Sequence, residues 1–310
     1  RKALGMNAVT IKTNIALGLL RLIAHLPFKV LYVISDFICF LLQHAIHYRE
    51  KVIFGNLYRS FPEKDKAEIK QIANNFYRHL SDCIVESIKL LHITDRQLER
   101  HITVRNSNKI EELASDGHPI IVFLGHYGNW EWMSSFPLWF TEPWQGAQIY
   151  HPLRNRHIDQ FFINLRQQFG GRCIPMKQTL RQILTDRREG RHEVIGFIAD
   201  QGPKWQGVQY WTDFLNHRTA FLTGTERIAR QVGATLFYLR ITRPRRGYYR
   251  AEIVPICLKP DEMGEFEATT RYAQLLEQQI REQPELWLWT HDRWKRSYER
   301  WLELKQEGTL

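Results

Sequence analysis

The chain has 310 residues, 44% of them hydrophobic and 25% charged, with a formal net charge of +10. That length and apolar content suit one large α/β domain or one domain with appendages, and no repeat, low-complexity tract or Pro/Gly/Ser-rich linker divides it. Cys39, Cys83, Cys173 and Cys257 are scattered without Cys-x-x-Cys spacing, which argues against a disulfide framework or zinc site and suits a reducing compartment.

From Ile15 to Ile46 the sequence is mostly apolar, but Arg21, His25, Lys29 and Asp36 interrupt it and Pro27 breaks it. Ile15 to Leu26 reads as an amphipathic or re-entrant helix, and Val30 to Ile46 as a slightly short candidate span. No small-residue cleavage site follows, so the segment is expected to be retained. Lys2, Lys12, Arg49, Lys51 and Arg59 flank it with charge that suits an anionic leaflet. The expectation is an anchor over residues 1–48, spanning or interfacial, followed by a catalytic domain over 49–310. Two buried helices are the alternative.

Residues 66–92 place Ile69, Ile72, Phe76, Leu80, Ile84 and Ile88 at helical spacing. Strand patterns then fall at 119–125, 147–151, 172–176, 193–199, 235–242 and 249–256. Helical patterns fall at 129–140, 156–169, 178–188, 222–232, 268–282 and 297–306. Such alternation predicts an α/β fold with a mostly parallel sheet covered by helices. Arg245-Arg246-Gly247 reads as a hairpin turn, so the sheet should be mixed.

Pro119 to Gly125 is an apolar run closed by glycine, the signature of a buried parallel strand. His126 then stands at its carboxyl end, where open α/β sheets place their ligand crevice. Asn129 can cap the next helix, and Glu131 in its first turn can fold back toward the imidazole. A histidine held by a carboxylate can take a proton from a hydroxyl. Backbone amides near Gly125-His126 or Gly128, or the Arg154 side chain, are candidate oxyanion donors. Arg154 follows the strand ending at 151 and suits a phosphate. Asp200 and Gln201 close the strand ending at Ala199 and face the same rim, suited to orienting a headgroup hydroxyl. Arg218 and Glu226 flank a helix start and pair with each other or contact substrate. His291 and Arg293 contact a headgroup or serve the core. No second acidic ligand accompanies Asp200 and no His-x3-His appears, so no metal and no cofactor are expected.

Basic residues concentrate in three stretches: Arg154 to Arg191, Arg240 to Arg250, and Arg293 to Arg300. They suit an anionic partner, and with no helix-turn-helix, RRM or zinc-finger pattern that partner is not expected to be nucleic acid.

Gly125-His126-Tyr127-Gly128-Asn129-Trp130-Glu131 resembles the lipid A late acyltransferases, within the superfamily that carries a His-x4-Asp/Glu motif. Similar blocks run along the chain: Asn56-Leu57-Tyr58-Arg59-Ser60-Phe61-Pro62, Tyr150-His151-Pro152-Leu153-Arg154-Asn155, Ala199-Asp200-Gln201-Gly202-Pro203-Lys204, Phe214 to Phe221, and Pro284 to Arg296. The resemblance implies transfer of an acyl chain from an acyl carrier protein thioester to a hydroxyl of a lipid A precursor. His126 is the implied base, assisted by Glu131, on the cytoplasmic side of a bacterial inner membrane. The lack of a Gly-x-Ser-x-Gly elbow fits direct attack without an acyl-enzyme. Coenzyme A is the alternative donor, and acylation of another lipid such as a hydroxyacyl aminolipid, thioester hydrolysis, and non-catalytic binding of membrane lipid are the competing functions.

Overall fold

The computed structural model describes residues 8–113, 118–141, 144–259 and 262–310. Lys2 lies outside that set. The chain opens with α1 (Ala8–Ala24) and α2 (Phe28–Phe40), separated at Pro27, whose fixed φ of −64° and extended ψ start the second helix. A π-helical turn, Leu41–Ala45, extends α2. Next come α3 (Glu50–Ser60) and the 24-residue α4 (Lys66–Lys89), which begins with a capping box between Asp65 and Glu68.

Seven strands form one sheet in the order β1-β9-β8-β2-β5-β3-β4. They are β1 (Ile102–Arg105), β2 (Ile120–Leu124), β3 (Trp144–Tyr150), β4 (Arg172–Pro175), β5 (His192–Ile198), β8 (Thr235–Arg245) and β9 (Tyr248–Cys257). Every adjacent pair is parallel except β8 and β9, the hairpin expected around Arg245-Arg246-Gly247. The fold is therefore α/β with a mixed, mostly parallel sheet. A separate hairpin, β6 (Tyr210–Phe214) and β7 (His217–Phe221), together with β1, α5 (Asp95–His101) and α6 (Asn108–Leu113), was not evident from periodicity.

The remaining helices are α7 (Arg156–Gln167), α8 (Thr179–Arg188), α9 (Gly224–Val232), α10 (Glu267–Glu282) and α11 (Tyr298–Gln306). All five residues of β2 are buried, as a central strand covered on both faces requires. Phe123 stacks on Tyr272 of α10, which fixes one face. Val122 and Leu124 point the other way, toward the cavity described below.

The segment after β2 departs from expectation. Instead of an α-helix over 129–140 there is a 3-10 stretch, Trp132–Trp139. Pro137 within it withholds a donor, and the Ser134 and Ser135 hydroxyls donate to the carbonyls three residues back.

Candidate active site

β2 and β5 are adjacent and parallel, with Leu124 opposite Ile198. Two residues further along each strand direction stand His126 and Asp200, side by side at the carboxyl edge. His126 Nδ1 lies 2.7 Å from Asp200 Oδ1, and the His126 backbone N–H donates to Oδ2 at 2.8 Å. Trp287 Nε1 donates to the same Oδ2 at 2.9 Å. A carboxylate only accepts, so the arrangement puts the ring proton on Nδ1 and leaves Nε2 as the basic nitrogen. The Trp130 ring stands edge-on to the imidazole, 5.3 Å between centroids.

Burial disfavours a charged imidazole, but the Asp200 carboxylate and its hydrogen bond outweigh that and hold the His126 pKa above its ordinary value. Asp200 shows the reciprocal effect. Burial alone would raise its pKa, yet His126 and the donated hydrogen bonds keep it below the usual carboxylate value.

The histidine's carboxylate partner is thus Asp200, which corrects the expected pairing with Glu131. Glu131 is turned toward α7, where Arg166 grips it through Nε at 3.0 Å and a terminal guanidinium nitrogen at 2.6 Å. This bidentate pair leaves no oxygen reaching the imidazole ring, although its charge still acts on His126.

The turn itself is locked by the C-terminal block. Gly128 N–H donates to the Leu286 carbonyl, and Leu288 N–H donates to the His126 carbonyl. Gly128 has φ +59°, and an added Cβ would come 2.9 Å from Ile241 Cγ2, so glycine is required there. Two of the expected oxyanion donors, the amides of His126 and Gly128, are therefore already committed.

His126 opens onto a cavity of about 690 Å³ lying over the sheet face opposite α10. Val122, Leu124, Val194, Gly196, Ile198 and Leu239 form its floor, and Met133, Phe136, Phe162 and Ile228 its other walls. Glu131, Arg166 and Gln201 also line it. The lining is largely apolar, and an imidazole with its Nε2 free to accept a proton stands at its edge.

The other expected site residues divide. Gln201 reaches the cavity, as expected of that rim. Arg154 is exposed, while its neighbours His151 and Leu153 line the mouth. Arg218 pairs with Asp213 at 3.4 Å and sits over Tyr298, not beside Glu226. Glu226 is buried and accepts from the backbone and hydroxyl of Thr269. His291 is half-buried, and burial followed by the Arg293 charge lowers its pKa. Arg293 is buried, donates to the Ala220 carbonyl at 2.6 Å and lies over the Phe221 ring. Burial pulls its pKa down to about 10. It braces β7 against the site.

Trp287 and Arg166 were legible only as an aromatic and as part of a basic stretch. Among the described residues no group of three or more His, Cys, Asp and Glu side chains gathers as a metal site.

The basic stretches also separate. In Arg240 to Arg250, Arg240 pairs with Glu282, Arg243 approaches His79 and Asp82, and Arg246 is held by Asp82 and Asp36. In Arg154 to Arg191, Arg166, Arg172 and Arg191 are ion-paired, whereas Arg154, Arg156, Lys177, Arg181 and Arg188 are exposed.

A histidine–aspartate pair thus stands at the carboxyl edge of a mostly parallel sheet, beside a largely apolar cavity. The sequence model described as bacterial lipid A biosynthesis acyltransferase matches residues 6–296, and the chain belongs to that family. It is similar to the lipid A biosynthesis lauroyltransferase of Escherichia coli (strain K12), 24% identical over 288 residues covering 91% of each chain. The lipid A biosynthesis palmitoleoyltransferase of the same organism is also 24% identical over 288 residues, 91% of this chain and 90% of the relative. A lipid A biosynthesis acyltransferase of Haemophilus influenzae is 19% identical over 211 residues, 68% of this chain and 65% of the relative.

Proposed function

We propose that this protein transfers a fatty acyl group from an acyl carrier protein thioester to a hydroxyl of a lipid A precursor. The observation that carries the reading is the 2.7 Å contact between His126 Nδ1 and Asp200, on the wall of the apolar cavity. The acceptor hydroxyl gives its proton to His126 Nε2 as its oxygen attacks the thioester carbonyl. The C–S bond then breaks, and the imidazolium returns the proton to the departing thiolate. Asp200 holds the tautomer and offsets the positive charge that forms. Glu131 serves by anchoring Arg166 in the cavity wall.

The donor's chain lies in the cavity, and its acidic carrier docks on Arg154, Arg156, Lys177, Arg181 and Arg188 near the mouth and on α8. Two features support this: those bases are exposed, and Leu153 and Met176 among the lining residues are exposed apolar groups beside them. The protein works at the cytoplasmic face of the inner membrane, where such a carrier and a lipid acceptor meet.

The test is mass analysis of products from purified protein with acyl carrier protein thioester, with and without the lipid A precursor. Acceptor-dependent O-acyl product that vanishes in His126→Ala supports the proposal. Free fatty acid alone, unaffected by acceptor, would replace it with hydrolysis.

A further inference from the structure

The helix Phe28–Ala45 has 18 residues and a mean hydropathy of 1.4, so length and composition allow it to cross a membrane. Its two faces decide otherwise. The inner face is bound to α4 by polar groups. Ser35 donates to Asp82 at 2.7 Å, Tyr32 donates to Glu86 at 2.9 Å, and Arg246 bridges Asp82 to Asp36. At the Pro27 break, Lys89 donates to the carbonyls of Ala24 and Leu26 at 2.9 and 3.0 Å. Asp82, Glu86 and Lys89 are all buried on one side of α4.

The outer face is wholly different. Val30, Val33, Phe37 and Phe40 recur at helical spacing and are exposed, Val33 to 69% and Phe37 to 61%. On α1, Ile15, Leu19 and Leu22 form a second exposed stripe, Leu22 to 72%. Exposed Arg21 and Lys29 are chain neighbours of Leu22 and Val30, exposed Arg49 follows the helix, and exposed Arg78 shares a groove with Phe40.

We infer that α1 and α2 lie in the plane of an anionic phospholipid leaflet, as an interfacial wedge that does not cross the bilayer. A span would carry Asp82, Glu86 and Arg246 into hydrocarbon along with α2, or break every contact that holds α2 to the body. A charged group at the bilayer centre costs at least several kcal/mol on most scales, whereas the in-plane pose immerses only the apolar stripes. Bases around an apolar face are what a leaflet surface attracts. This deepens the membrane part of the proposed function and seats the α7 wall of the cavity close to lipid, because α1 borders α7 in a shared groove.

The experiment is a depth measurement on the full chain bound to sealed phosphatidylethanolamine–phosphatidylglycerol vesicles. Single fluorescent thiol labels are placed by Val30→Cys, Val33→Cys, Phe37→Cys and Phe40→Cys. The background has Cys39, Cys173 and Cys257 changed to serine and keeps the buried Cys83. Lipid quenchers at the headgroup and deep in the acyl chains report the depth of each label. The in-plane pose predicts one shared shallow depth, about 5–10 Å below the headgroup boundary, at all four sites. A depth that varies steadily along the helix and reaches the bilayer centre overturns it, as does failure to bind vesicles. The double change Val33→Asp with Phe37→Asp should abolish vesicle binding at an unchanged melting temperature, and retained binding overturns the inference. Neither readout requires turnover, so a failed transfer assay in detergent counts against the proposed reaction and leaves the seating standing.

Discussion

His126 has a carboxylate on each flank, and the two do different work. Asp200 is nearly sealed, with a side chain 3% exposed, and spends its oxygens on the imidazole, the His126 amide and Trp287. Glu131 is more open, at 17%, and spends both oxygens on Arg166. Both are near enough to raise the imidazole's proton affinity, but only one aims the ring. Proximity in sequence favoured Glu131, whereas strand register favours Asp200.

The largest expected effect is on the shared partner. His126→Ala should cut transfer by about 10²–10⁴-fold with the fold intact, since a positioned base supplies that much. Steady-state rates alongside a melting curve check it, and near-normal turnover would remove both flanks from the chemistry.

Asp200→Asn comes next. The amide can present its NH₂ to Nδ1 and favour the wrong tautomer, so kcat should fall by roughly 10²-fold or more while KM changes little. A loss confined to KM would place Asp200 in substrate binding instead.

Glu131→Gln should be milder in catalysis and should act through Arg166. Removing one partner leaves a partly buried guanidinium unpaired in the cavity wall, at about 1–3 kcal/mol of stability. The double variant Glu131→Gln with Arg166→Met should therefore lose less than the sum of the singles. Strict additivity in thermal melts would deny that the two form a unit.

The smallest effect belongs to the rim. Lys177→Glu with Arg181→Glu should raise the KM for the carrier-bound donor several-fold, weaken with salt over a screening length of about 8–10 Å, and spare kcat. Unchanged donor kinetics at low salt would leave these residues as plain surface.

The fold was largely legible because its central strands are continuous apolar runs with helices between them, a pattern that composition and period alone resolve. What escaped had disguised signals. The β6–β7 hairpin turns on Leu215-Asn216, both at positive φ (50° and 63°), where a buried leucine replaces the usual Asn-Gly cue. β1 has only four residues and sits at a sheet edge. At the site, His126 and the rim position of Asp200 could be read from the two apolar runs that each residue follows, but their pairing could not. It depends on β2 and β5 being neighbours in register, a long-range fact. Glu131 was placed in the first turn of an expected α-helix, but the segment is a 3-10 stretch and Glu131 pairs with Arg166 of α7, a partner far along the chain. The arginine-rich stretches looked alike in sequence, yet in one of them Arg240 and Arg246 are held by Glu282, Asp36 and Asp82, partners far along the chain, while Arg245 and Arg250 stay exposed.

The pH dependence of kcat/KM tests the central claim most directly. As a base His126 must be unprotonated, so activity rises with pH through its pKa in the free enzyme. Asp200 raises that pKa, so the wild-type limb should lie above the ordinary imidazole value of about 6.5. It should move to lower pH in Asp200→Asn and move less in Glu131→Gln. A limb displaced as far or farther by Glu131→Gln, with Asp200→Asn near wild type in position and rate, would return the role to Glu131 and contradict the pairing.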